Sequence, residues 1–165
     1  MNVTLTRIVR AAVVAALLVP VAAPAFAGPA EDKYLASLAG TWTGKGKITG
    51  AQAGSVACRL TVKPSSGKLN FNGRCTYTGM STPQSFSGTI RYNDDKGVYE
   101  STSMGKSVDG KKSGSTLSFT TSVKDMRGNV SSTMSLSPSK ASVAFQMVDS
   151  QTKQPSKGSV SFSKS

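Results

Sequence analysis

Two cysteines are the most reactive side chains in the 165-residue chain, and they stand seventeen positions apart as Cys58 and Cys75. That spacing is far from the Cys-x-x-Cys arrangement that tunes a redox pair, and two thiolates are too few for a zinc site. With no histidine anywhere, the Ser-His-Asp and Cys-His nucleophile systems are excluded, as is every histidine-ligated metal site. The eight carboxylates offer no acid–base pair. Glu31 and Asp32 read as helix-start residues, Asp94 and Asp95 as turn residues, and Asp109 and Asp125 as loop residues. General acid–base catalysis needs a titratable group in a pocket, and no inward position that can be assigned is ionisable. The chain therefore reads as a non-enzyme without metal or cofactor. The remaining chemistry is charge. Twenty Lys and Arg against eight Asp and Glu favour anionic surfaces through the field alone.

The elements that hold the cysteines follow from their neighbourhood. If Ser66-Gly67 are the central residues of a tight hairpin, Gly supplies the positive φ that a primed turn needs. Val56 then faces Tyr77, Cys58 faces Cys75, Leu60 faces Gly73, Val62 faces Phe71 and Pro64 faces Leu69. The other face pairs Arg59 with Arg74, Thr61 with Asn72 and Lys63 with Asn70. Apolar and polar sets separate, so a slip of one residue would mix them and the register is strongly specified. Cys58 and Cys75 land opposite each other at a close, non-hydrogen-bonded pair, which predicts a structural disulfide across one hairpin.

The same period of two recurs. Trp42, Gly44, Gly46 and Ile48 share one face of 41–49; Phe86, Gly88, Ile90 and Tyr92 share one of 84–92; Leu117, Phe119, Thr121 and Val123 one of 115–123. Val130, Met134 and Leu136 mark 128–137, Val143, Phe145 and Met147 a further strand, and Val160 and Phe162 the last. Segment 97–104 is a strand of open phase, with either Tyr99 or Val98 inward. Gly105–Gly114, with three lysines, reads as a loop. Nine strands with short turns and one short helix over 31–38 predict an all-β, up-and-down antiparallel barrel of eight to ten strands, with a β-sandwich as the alternative.

The first 27 residues stand apart. Arg7 and Arg10 precede the apolar run Ala11–Val19, and Ala25-Phe26-Ala27 is a cleavage signature, so 1–27 reads as a secretory signal of bacterial type. Residues 28–165 are then a single barrel domain in the periplasm or medium, with no membrane span after cleavage. Its charge is +10, because Arg7 and Arg10 leave with the signal. An oxidising compartment suits the disulfide.

Leu38-Ala39-Gly40-Thr41-Trp42, at the junction of the short helix and the first strand, resembles the Gly-x-Trp signature of calycin-like barrels of the lipocalin and avidin type. The resemblance implies a barrel with Trp42 packed across its closed end. A single Trp and no His depart from the biotin and haem sites of such barrels. Residues 35–78, with Cys58-Arg59-Leu60-Thr61-Val62, are also similar to periplasmic protease inhibitors of the alkaline metalloprotease inhibitor type, which implies that Gly28–Asp32 enter a protease cleft. A third resemblance, to exported barrels of alphaproteobacteria, brings no function with it.

Three partner classes follow. An anionic envelope component or a periplasmic protein would meet the outer surface and loops, with Arg59, Arg74, Lys106, Lys111 and Lys112 as its surface. An apolar small molecule would occupy an interior lined by Trp42, Tyr77, Phe86, Tyr92, Phe119 and Phe145, where Gly44, Gly46, Gly73 and Gly88 leave space. Nucleic acid is not expected, because outward aromatic residues that stack bases are missing. Of these, the outer surface is the expected working part.

Overall fold

The computed structural model describes residues 28–165, apart from 52, 79–81 and 126–127; the predicted signal, 1–27, lies outside the described residues. Among the described residues a single helix, α1 (Pro29–Leu38), precedes ten strands: β1 (Gly40–Gly50), β2 (Gly54–Ser65), β3 (Lys68–Tyr77), β4 (Gln84–Asn93), β5 (Val98–Ser103), β6 (Lys106–Ser113), β7 (Thr116–Asp125), β8 (Gly128–Leu136), β9 (Lys140–Asp149) and β10 (Pro155–Lys164). Each strand pairs antiparallel with the next in sequence, and β10 closes on β1. Closure satisfies both edges of the sheet and removes the unpaired backbone groups an open sheet exposes.

The β2–β3 hairpin has the predicted register, from Val56–Tyr77 to Ser65–Lys68. Ser66 and Gly67 both take positive φ, 33° and 71°, as a primed turn demands. Cys58 and Cys75 are disulfide-bonded across the ladder with Cα atoms 4.1 Å apart.

The tenth strand is a correction to the sequence reading. Residues 106–113 form β6 rather than a loop. Lys106-Ser107-Val108-Asp109-Gly110-Lys111-Lys112-Ser113 holds one large apolar residue, so hydrophobic alternation is nearly silent. The strand exists because β5 and β7 each supply a ladder, through Tyr99–Gly110 and Gly110–Phe119. In β5 the open phase resolves with Tyr99 inward and buried.

Glycine placement explains the interior, and it corrects a second expectation. Every phenylalanine of residues 28–165 sits directly opposite a glycine on the neighbouring strand: Phe162 on Gly44, Phe86 on Gly73, Phe71 on Gly88, Phe119 on Gly110 and Phe145 on Gly158. A Cβ at any of these glycines would stand under 3 Å from the facing ring. The glycines do not leave space. They seat aromatic rings against the wall, where missing side-chain contacts are replaced by ring contacts.

The core gathers at the helix end. Leu35 and Leu38 of α1 pack with Trp42, Leu60, Val62, Leu69, Ile90 and Leu117, all buried. Toward the opposite end the inward positions Thr121, Val123, Val130, Ser132, Phe145 and Met147 are only half-buried. The barrel is thus plugged by α1 at one end and loosely filled at the other.

Candidate functional site

The predicted interior residues spread over five strands. Trp42 and Phe119 are buried, Tyr77, Tyr92 and Phe145 half-buried, and Phe86 is 36% exposed where it folds over Gly73 against Phe71. Trp42 is at the plugged end, with the Lys164 ammonium 5.2 Å from its ring centre. The same ammonium donates to the Ser37 carbonyl at 2.9 Å, tying the end of β10 to α1. Beside it, Tyr99 meets Tyr34 and Tyr92 edge-on at 5.6 and 5.1 Å between ring centres. Burial, followed by the negative charge of Glu31, pushes the Tyr99 hydroxyl up to about 12. The Trp42 Nε1 and Tyr99 hydroxyl have no hydrogen-bond partner among the described residues.

The five predicted surface cations are not one patch. Arg59 and Arg74 are exposed and directly opposite on the outer face of β2 and β3. Lys111 faces outward on β6. Lys112 falls on the inward phase, opposite Leu117, and reaches out of the plugged end to place its ammonium 4.8 Å from the Tyr34 ring centre. Lys106 also falls on the inward phase, at the opposite end of β6. The lysines were expected in one loop, where any could turn outward; strand geometry forces neighbours to opposite faces.

Gly28–Asp32, which the inhibitor resemblance implies as a cleft-filling arm, is no extended arm. Pro29–Asp32 make the first turn of α1, whose start carries Pro at an early position and acidic Glu31 and Asp32, as a helix N-terminus favours.

Sequence reading missed the best-built ionic cluster. Glu100 lies on the outward phase of β5 yet its side chain is only 6% exposed, because neighbours cover it. Lys96, from the β4–β5 turn, donates to Glu100 Oε1 at 2.7 Å, and Arg91 of β4 donates twice to Oε2, at 2.7 and 3.1 Å. Lys96 also reaches Asp109 of β6 at 3.4 Å. Hydrogen bonds from Lys96 first, then from Arg91 and Asn93, pull the Glu100 carboxyl down to about 2. This network ties β4, β5 and β6. The open phase of β5 hid it, but the Arg91–Glu100 cross-strand pair follows once Tyr99 is turned inward.

A pH dependence follows. The folded pKa of Glu100 lies below its ordinary 4.5, so the carboxylate contributes stability above that pH and loses it as pH falls toward about 2. Glu100→Gln is expected to be less stable than wild type at neutral pH and to show a flatter stability curve between pH 4.5 and 2. Chemical denaturation at a series of pH values measures this, and parallel curves would remove the network from the account.

Carboxylates are confined elsewhere as well. Among outward strand positions only Glu100 and Asp109 are acidic. Asp149, at the end of β9, accepts bonds from the Gln151 and Thr152 amides at 2.9 and 2.7 Å and organises its turn. From β7 through β10 and round β1 to β3, the outward residues are mostly Ser and Thr with Lys45, Lys47, Lys63, Lys68, Lys124, Lys140, Lys157, Arg59 and Arg74, and no acid stands among them. None of these cations makes an ion pair among the described residues. Among the described residues, no group of three or more His, Cys, Asp or Glu is placed to hold a metal.

No family model and no curated protein matches the chain. Solved structures do. Rv2717c from M. tuberculosis superposes with a TM-score of 0.58 at 11% identity, over 84% of this chain and 98% of that one. The S-type phycobiliprotein lyase CPES from Guillardia theta gives 0.60 at 8% identity, over 81% and 92%. The shared feature is the fold. It is a closed antiparallel β-barrel, and a fold by itself does not fix an activity. Among the described residues no helix is long and apolar enough to cross a membrane.

Proposed function

We propose that the chain is a non-enzymatic binding barrel of the bacterial periplasm or exterior that holds an anionic component of the cell envelope on its outer face. The observation that carries this reading is the separation of charge. Among the described residues, the cations from β7 round to β3 have no carboxylate partners, while Glu100 and Asp109 are occupied by Arg91 and Lys96. Unpaired like charges on neighbouring strands repel, as Arg59 opposite Arg74 must. An anionic partner removes that cost. The interior supports the reading from the other side, since rings seated on glycines fill the barrel wall. The test is retention of the purified protein on envelope fractions of its own host in rising salt. Release by salt is expected, and retention indifferent to salt would contradict it.

A second reading has one observation in its favour. The half-buried Val123, Val130, Phe145 and Met147 at the end away from α1 would suit an apolar small molecule. Native mass spectrometry of protein from its own host distinguishes it, through a retained stoichiometric ligand insensitive to salt.

A further inference from the structure

The outer face of β7–β10 and β1 differs from the rest of the barrel. Cross-strand neighbours form continuous rows of small or polar side chains. One runs Thr120, Thr133, Ala144, Ser159, Lys47. The next toward α1 runs Ser118, Ser135, Ser142, Ser161, Lys45. Small side chains keep the floor low between lysines, and two shallow depressions of about 540 and 520 Å³ lie end to end over these rows. Lys47 and Lys157 stand at the first, Lys140 at the second. Along β9, from Gln146 to Lys140, the track is roughly 20 Å long by strand rise.

We infer that this track is a docking site for an extended, hydroxyl-rich, carboxylate-bearing chain: an acidic polysaccharide. The inference rests on the outer-face reading and gives it a place and an occupant. Three features select that chemistry. The lysines have no carboxylate partner among the described residues, so the counter-charge comes from outside. Ser and Thr hydroxyls both donate and accept, the complement of sugar hydroxyls. The cross-strand bonds Ser118–Ser135 at 3.0 Å and Thr120–Thr133 at 3.2 Å use only part of that capacity. Finally, no aromatic residue faces outward here to stack bases. Among the described residues, the exposed large apolar side chains are Phe86 and Met104, on β4 and the β5–β6 turn and away from this wall.

Binding to polygalacturonate, measured by affinity electrophoresis, tests the site with three variants of the full exported chain. Lys47→Gln/Lys157→Gln is expected to weaken binding about tenfold. Thr133→Val/Ser159→Ala, which leaves charge untouched, is expected to weaken it about threefold with the salt dependence unchanged. Lys33→Gln/Lys106→Gln removes the same charge from α1 and the start of β6, outside this face, and should change binding less than about twofold. Thermal melts confirm that each variant folds. Equal losses in the two charge-removing variants, or a hydroxyl variant that binds like wild type, would overturn the site. Salt-sensitive retention on host envelope without polygalacturonate binding, or with preference for phosphatidylglycerol vesicles, would overturn the polysaccharide while leaving the outer-face reading intact. Absence of envelope retention would overturn both.

Discussion

Trp42→Ala is expected to lower the free energy of unfolding by roughly 3–5 kcal/mol, the range for truncating a fully buried large aromatic. Trp42 is completely buried at the plugged end of the barrel, among Leu35 and Leu38 of α1 and Leu60, Val62, Leu69, Ile90 and Leu117 of the strands. Truncation leaves a cavity exactly where the helix docks, and it deletes the ring that Lys164 covers. The variant Trp42→Phe separates volume from polarity. It removes an indole N–H that has no partner among the described residues, and relief of that desolvation penalty offsets part of the lost volume. Its loss should therefore be clearly smaller. Denaturant unfolding followed by far-ultraviolet circular dichroism measures both. A loss under about 1 kcal/mol for the alanine variant would mean that α1 and the Gly-x-Trp junction do not organise the core.

Replacing both cysteines is the second large effect. Cys58→Ala/Cys75→Ala is expected to cost about 3 kcal/mol, because the bridge closes a loop of seventeen-residue separation and restricts the unfolded chain. The native barrel should change little, since the ladder on both sides of the pair is complete. The variant's unfolded state is less constrained and exposes more surface, so the denaturant m-value should rise as the midpoint falls. Wild-type protein from an oxidising compartment should show no free thiol under denaturing, non-reducing conditions. Two free thiols there, or a loss below about 1 kcal/mol with an unchanged m-value, would remove the staple from the account.

The hairpin was legible to the residue because three independent signals agree in it: the Ser66-Gly67 turn, apolar alternation and the cysteine pair. Where only one signal exists, reading fails. β6 offers Val108 as its one large apolar residue, and its small inward Gly110 makes sense only with Phe119 of β7 facing it. The glycine–phenylalanine pairs were invisible for the same reason. Each needs the register between two strands, and register outside the hairpin depends on strand ends that alternation alone does not fix. Glu100 escaped because its partners arrive from a turn and a neighbouring strand. The polar outer face, by contrast, was already written in the period of two. Ser, Thr and Lys occupy the outward phase of nearly every strand, and what the folded barrel adds is their arrangement into rows and the exile of carboxylates to β5 and β6.

The account's central claim is that an anionic envelope partner binds this outer face, and a salt titration of binding to host envelope fractions tests it most directly. Screening lengths shorten from about 30 Å at 0.01 M to about 10 Å at 0.1 M ionic strength. Affinity should therefore fall steeply and continuously across that interval, and the salt-eluted protein should rebind on dilution. Affinity that stays level across the interval would contradict the claim and turn attention to the half-buried apolar end of the barrel.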